Sequence, residues 1–244
     1  MSLSSPPPCY AWSPAAGALY AANRSRGVYY WDVTCEMCAA HLMLPNEEDG
    51  STVSSLAVSG VMDALVAAGT TRGTVTLFDL RTSGETPVMT VAGSPGGQPV
   101  RGMALEHALM RGRLVTVWGG KGMRIIDLRG GGGGGGGGGS VDQATLGSSA
   151  PNHTTLKDIT AVSHSGMVAF AAHETAPLVA TLSQRSAVKL WDCEGTPRGA
   201  LAAPSRGGRG TGGGGGALAF HPLAMTIGAA LPGESGAHLI DMVG

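Results

Sequence analysis

Charge is what this sequence has least of. Only 14% of its 244 residues are Asp, Glu, Lys or Arg, where a soluble domain usually carries ~25%. The 16 basic and 17 acidic residues nearly cancel, so there is no basic footprint for nucleic acid or for an anionic membrane surface. Aromatics make up 5%, and most fall in segments that read as strands, which leaves few for an exposed binding loop. Four cysteines are too few for a disulfide framework in a chain this long, and a reducing compartment is expected. No apolar run approaches the ~20 residues of a transmembrane helix. The first fourteen residues contain Pro6-Pro7-Pro8 and no basic residue, and do not read as a secretory signal. Sustained 3.6-residue periodicity with caps at both ends is missing throughout, which sets an all-β reading ahead of α/β.

Glycine, by contrast, is abundant: 41 residues, about 17% of the chain, against a usual ~7%. Gly130 to Gly139 and the stretch from Gly207 to Gly216 hold 18 of them, and the other 23 are scattered. No Gly-X-Y period is present, so collagen is excluded. With 43% apolar residues the rest of the chain can bury a core that the glycine runs cannot share.

One pattern recurs five times: Val28-Tyr29-Tyr30-Trp31-Asp32, Val75-Thr76-Leu77-Phe78-Asp79, Met123-Arg124-Ile125-Ile126-Asp127, Val188-Lys189-Leu190-Trp191-Asp192 and Ala237-His238-Leu239-Ile240-Asp241. The aspartates lie 47, 48, 65 and 49 residues apart, and the long interval contains the ten-glycine run. Positions two and four back from each aspartate are apolar and share one face of a strand. The position one back (Trp31, Phe78, Ile126, Trp191, Ile240) makes the other face apolar as well. Such a strand lies between two layers. The position three back is mostly polar.

A second strand precedes each copy, at 18–22, 64–68, 113–117, 177–181 and 225–229. Gly27, Gly73, Gly122 or Gly236 stands in the connecting turn of four copies, where a tight hairpin calls for positive φ. Gln184-Arg185-Ser186 replaces it in the fourth. An earlier strand is read at 53–58, 100–105, 167–172 and 217–220. Three such strands and a fourth connecting one, in a unit of ~40–45 residues, make a propeller blade. Repeats are expected at about 11–46, 47–95, 96–129, 150–204 and 217–244. A disordered Pro-rich start at 1–10 and Gly-rich insertions at 130–149 and 205–216 complete the division.

These columns resemble the WD40 repeat family, with its Trp-Asp pair at Trp31-Asp32 and Trp191-Asp192. His221-Pro222 after Ala217 to Phe220 is similar to the family's first-strand ending; the stretch from Ala172 to Pro177 and Trp12-Ser13-Pro14 are looser versions. Within that family, several features together resemble the C-terminal propeller of the Raptor family of TOR-complex subunits. They are Leu77 to Thr82 and Ile125 to Arg129 with their paired Asp-Leu-Arg ends, His173 to Thr181 followed by Val188 to Gly195, and Leu218 to Pro222. The resemblance implies a non-catalytic interaction scaffold in nutrient-responsive growth control. Its implied partners are TOR kinase complex subunits. Its implied place is the cytoplasm, with recruitment to lysosomal or vacuolar membranes through partners. The family's caspase-like and helical-repeat regions, which the resemblance makes the place of substrate recognition, have no counterpart here. WD propellers usually have seven blades, and five are recognisable. The first repeat lacks a convincing first strand, because prolines make residues 4–9 a poor one. An incomplete ring, in a chain lacking part of a longer N-terminal sequence, is expected.

Other motifs carry weaker chemistry. Cys35-Glu36-Met37-Cys38 has no second pair at zinc spacing and follows a strand instead of opening a helix, so reduced structural cysteines are expected. His173-Glu174 does not continue as HExxH. His107, His164 and His238 are scattered, and His221 is expected to order a turn. Ser163-His164 lies outside any nucleophile motif. Gly119-Gly120-Lys121-Gly122 lacks phosphate-loop spacing and reads as a hairpin turn. Ser205 to Gly210 resembles one short Arg-Gly-Gly segment, read as a linker. The five aspartates are expected to end their strands and accept turn amides, one per blade and too far apart for acid–base pairing. No catalytic residue, metal, cofactor, small-molecule substrate or nucleic-acid partner is expected. A WD40 adaptor of a ubiquitin ligase or trafficking complex is the alternative, and an RNA-associated protein using residues 206–216 a lesser one. An enzyme on a propeller has only isolated histidines behind it.

Overall fold

The computed structural model describes residues 9–13, 16–22, 27–45, 50–59, 65–81, 86–105, 112–128, 154–160, 162, 166–173, 175–202 and 216–242. The glycine runs before Gly216, the proline run, His107, Ser163 and His164 lie outside them. The described residues form nineteen strands in five antiparallel sheets, with one short 3-10 turn at Pro95–Gly97 and no α-helix. Blade 1 is β1 (Cys9–Ser13), β2 (Ala18–Ala22), β3 (Gly27–Asp32) and β4 (Met37–Met43). Blade 2 is β5 (Val53–Val58), β6 (Leu65–Thr70), β7 (Thr74–Asp79) and β8 (Met89–Ala92). Blade 3 is β9 (Val100–Leu105), β10 (Arg113–Trp118), β11 (Gly122–Asp127) and β12 (Thr154–Ile159). Blade 4 is β13 (Met167–Ala172), β14 (Leu178–Ser183), β15 (Ala187–Asp192) and β16 (Pro197–Ala202). Blade 5 has three strands, β17 (Ala217–Phe220), β18 (Thr226–Ala230) and β19 (Ala237–Asp241).

The first strands of successive blades lie side by side, β1 against β5, β5 against β9, β9 against β13 and β13 against β17. Among the described residues no comparable contact leads from blade 5 back to blade 1. The blades therefore form an arc around an axis lined by their first strands.

Strand pairing explains how the blades stack. Residues facing each other across the first three strands form rows, because side chains alternate between faces. One row per blade faces the preceding blade: Val58–Val66–Phe78, Leu105–Leu114–Ile126, Ala172–Val179–Trp191 and Phe220–Ile227–Ile240. The row shifted by one residue faces the following blade: Ala11–Tyr20–Tyr30, Ala57–Ala67–Leu77, Ala104–Val115–Ile125 and Ala171–Ala180–Leu190. In each of these the inner strand contributes alanine, which lets neighbouring blades approach where the wedge is narrowest. Four apolar clusters fill the four spaces between blades. Phe78 packs with Tyr20 and Val28, Ile126 with Leu77, Trp191 with Ile125, and Ile227 with Leu182. Each fully buried side chain of this size contributes about 1.5–3 kcal/mol.

Polar groups add crossings from blade to blade. Thr116 Oγ1 donates to the Gly93 carbonyl at 2.5 Å, Arg124 Nη1 to the Ala92 carbonyl at 2.9 Å and Lys189 Nζ to the Val162 carbonyl at 3.0 Å. Arg124 and Lys189 occupy the same repeat column, three before the aspartate.

Two expected boundaries are corrected. Residues 154–159, assigned from sequence to the fourth repeat, form the outer strand of blade 3, paired with β11 and held by a two-pronged ion pair of Arg124 with Asp158 at 2.6 and 2.7 Å. The ten-glycine run is thus an insertion within blade 3. The first repeat does have a first strand: Cys9 and Tyr10, expected in a disordered start, belong to β1. Its Tyr10, Ala11 and Trp12 alternate between faces, and the prolines precede the strand instead of interrupting it.

Candidate interaction surfaces

The repeat residues do structural work. Asp32, Asp79, Asp127, Asp192 and Asp241 each end the third strand of a blade. Asp32 Oδ1 accepts from the Thr34 amide at 2.8 Å, the Thr34 hydroxyl at 2.6 Å and the Cys35 amide at 3.2 Å. The Thr34 hydroxyl, followed by these amides, holds its carboxyl below the usual carboxylate range. Asp79 is held low chiefly by the Arg81 guanidinium, with Nη2 at 2.6 Å from Oδ2. Burial pushes Asp192 up, but the amides of Thr196 (2.7 Å) and Glu194 (2.9 Å), with Arg198 at 2.9 Å, outweigh it. Asp241 departs from this pattern and accepts from the Thr226 hydroxyl at 3.4 Å. Of the residues one position earlier, Phe78, Ile126 and Trp191 are buried and Ile240 packs on the blade 4–5 cluster, but Trp31 is 46% exposed.

A second class of residue caps the loop after the first strand. Ser13 Oγ accepts from the Ala16 amide at 3.3 Å, and His221 Nδ1 accepts from the Leu223 amide at 3.2 Å. The buried His173 accepts two amides at Nδ1, from Thr175 and Ala176, both at 3.1 Å. His173 and His221 are therefore loop organisers, and His238 is paired with Glu234. Among the described residues, no three His, Cys, Asp or Glu side chains are grouped to hold a metal ion. Cys35 and Cys38 are exposed, Cys193 is buried and Cys9 is half-buried; burial pushes the Cys9 thiol up to about 11. Among the described residues no helix is long and apolar enough to cross a membrane.

Gly119 and Gly120 turn β10 into β11 with φ of 55° and 71°. That turn borders a cleft of about 580 Å³ at one end of the axis. Ser54, Arg101 and Phe170 from three first strands line it, with Gln184 from the β14–β15 turn. Arg101 is the charged side chain on its wall. Sequence reading missed it because one arginine in a strand has no signature.

Among the described residues, no blade covers either end of the arc. On blade 1 the row facing backwards is Trp12–Leu19–Trp31, beside Tyr10 and Tyr29. Trp12 is 50% exposed, and Leu19, Tyr10 and Tyr29 are also exposed. On blade 5 the row facing forwards is Ala219–Gly228–Leu239, with Leu239 83% exposed.

With this architecture in view, comparison with solved structures is informative. The chain is similar to Chaetomium thermophilum Raptor with a TM-score of 0.73 and 21% identity, over 95% of this chain and 19% of that one. The fold is a WD40-type β-propeller. It is also similar to a structure of a Mitotic Checkpoint Complex with a TM-score of 0.67 and 16% identity, over 96% of this chain and 59% of that one. The chain thus spans about a fifth of the Raptor chain and somewhat over half of the other. At these identities the likeness is one of fold. No family model and no curated protein sequence matches the chain.

Proposed function

We propose that this chain is a non-catalytic interaction scaffold, of the kind the Raptor subunit provides to the TOR kinase complex in nutrient-responsive growth control. The observation that carries this reading is how the repeat is used. Most of the residues that recur once per blade, such as Phe78, Ile126 and Trp191 in packing and Asp32, Asp79 and Asp192 in turn hydrogen bonds, are committed to the frame, which leaves non-repeating strand ends, loops and the axial cleft to carry partners. Likeness in fold to Raptor over nearly the whole chain, together with the Asp-Leu-Arg strand ends and the stretch from His173 to Thr181, supports the TOR-complex form of this reading. In that form the chain acts in the cytoplasm and reaches lysosomal or vacuolar membranes through its partners.

The test is affinity capture from cells with the tagged chain, wild type and Arg101→Glu. Recovery of TOR kinase subunits, reduced by the substitution in the axial cleft, is the expected result. Recovery of ubiquitin-ligase or trafficking subunits with no TOR kinase overturns the TOR-complex form.

A further inference from the structure

Charge is sorted between the two ends of the axis. At the end where the third strands finish lie the five terminal aspartates, with Glu36 and Glu194 in the turns that follow. The basic residues described there are engaged: Arg81 with Asp79, Arg198 with Asp192, Arg113 with Glu194, and Lys157 with the Gly195 carbonyl. The opposite end, which holds the cleft, differs. Arg72, Lys121 and Arg185 stand one each in the turns joining the second and third strands of blades 2, 3 and 4, and Arg101 near the start of β9 is on the cleft wall. All four are exposed. Among the described residues none of them makes an ion pair with a carboxylate. The acids described on this side, Asp158 and Glu234, are bound to Arg124 and His238.

These cations surround a shaped depression. Lys121 follows Gly120 and Arg185 follows Gln184, and both Gly120 and Gln184 line the cleft with Arg101. Bonds between blades fix its walls: Ser54 Oγ donates to the Val100 carbonyl at 2.7 Å, and the Met167 amide donates to the Gly120 carbonyl. The charges are thus held apart on a rigid rim before any ligand arrives, which lowers the ordering cost of binding.

The arrangement selects a class of ligand. The whole chain has a net charge of −1, so attraction for an anion here is local. Cations on four separate segments do not make the continuous track that a nucleic-acid backbone follows, and Phe170 is the aromatic side chain lining the cleft, where a single strand calls for successive stacking platforms. A membrane surface calls for apolar side chains beside the cations, and among the described residues of blades 2 to 4 no large one is exposed at this end. Phosphoryl groups are read by clustered arginines, whereas one arginine lines the cleft. One cation inside and others spaced around the rim match a run of carboxylates.

We infer that the cleft takes an acidic segment of a partner polypeptide. Arg101 pairs with one carboxylate inside it, in the two-pronged form open to a guanidinium, and Lys121 and Arg185 hold acidic residues on either side. This rests on the scaffold reading and gives it a ligand chemistry.

The experiment is fluorescence anisotropy with the full chain and a short labelled peptide of aspartate and glutamate. The peptide is expected to bind at low salt and to be released as salt rises, and its asparagine–glutamine version should not bind. Arg101→Glu and Lys121→Glu should each weaken binding by about tenfold or more. Arg81→Glu makes the same change of charge at the other end and should leave binding unchanged. Circular dichroism checks folding, and Lys121→Glu, on a turn, carries the test if Arg101→Glu does not fold. Failure of the acidic peptide to bind overturns the inference, and so does equal weakening by Arg81→Glu. Binding of a phosphoserine peptide or a single-stranded oligonucleotide in place of the acidic peptide overturns it as well. Capture of TOR kinase subunits by a chain that binds no acidic peptide overturns this inference alone. Acidic-peptide binding without capture of those subunits supports it and overturns only the TOR-complex form of the scaffold reading.

Discussion

Trp31 and Trp191 hold the same position in two blades, one residue before the terminal aspartate, yet Trp191 is 6% exposed and Trp31 46%. The difference is the neighbour. Trp191 packs against Ile125 of blade 3 and donates its indole N–H to Thr181 Oγ1 at 3.1 Å; among the described residues no blade packs on Trp31 from that side. Trp191→Ala should therefore lower stability by about 3–5 kcal/mol, and Trp31→Ala by about 1 kcal/mol or less. Urea denaturation midpoints give the comparison. Equal losses would mean that the blade 1 face is covered.

The terminal aspartates make stability depend on acid. Asp79 and Asp192 titrate below the ordinary carboxylate value in the folded state. They contribute stability that is complete above the unfolded value of ~3.9 and drains away as pH falls through it toward the folded value. Asp192→Asn should flatten the fall in denaturation midpoint between roughly pH 5 and 2, and an unchanged slope would place the acid sensitivity elsewhere. At neutral pH, Asp192→Ala removes the acceptor of two half-buried amides and should cost about 1–3 kcal/mol. Asp32→Ala should cost less, because the amides of Thr34 and Cys35 face solvent.

The blade count, four of the first strands and all five third strands were legible because they combine a fixed period with apolar alternation. The outer strands were not. Residues 154–159 sit beyond the ten-glycine run, and linear distance assigned them to the wrong blade; Asp158, the partner of Arg124, gives no local sign of that pairing. The polar column three before the aspartate gives no local sign of its partners. Arg124 and Lys189 bring their charged ends to carbonyls of the preceding blade. The axial cleft was illegible because it is assembled from three blades, with one residue of chemical note from each.

Turn chemistry was legible at one of the four expected glycines. Gly73 has the expected positive φ of 81°, but Gly27, Gly122 and Gly236 do not lie in the left-handed region, and Gly122 opens β11, where an added Cβ would meet the Trp118 ring. In blade 4 the left-handed position falls to Ser186 at φ 60°, in a turn where Ser183 Oγ accepts the Ala187 amide much as Thr70 Oγ1 accepts that of Thr74. A left-handed non-glycine residue costs about 1–2 kcal/mol. Ser186→Gly should thus raise stability by up to about 1 kcal/mol after the glycine entropy cost. Gly73→Ala should lower it by more than about 1 kcal/mol, since its Cβ would meet the Gln98 carbonyl at 2.6 Å. Thermal melts of the two variants should move in opposite directions.

His173 links blade 4 to blade 5. Its Nδ1 accepts the amides of Thr175 and Ala176, which makes Nε2 the protonated nitrogen, and Nε2 donates to the Ala224 carbonyl at 3.3 Å. The ring also meets Phe220 edge-on with centroids 5.2 Å apart. His173→Ala leaves two amides and a carbonyl without these partners and opens the apolar contact, for a loss of about 2–4 kcal/mol. His173→Asn can restore one acceptor to the amides but cannot span to Ala224, and should recover part of that loss. Because the damage lies at one junction, hydrogen exchange should quicken in residues 217–230 well before it does in blade 2. Uniform quickening across the arc would show instead that the five blades unfold as one cooperative unit.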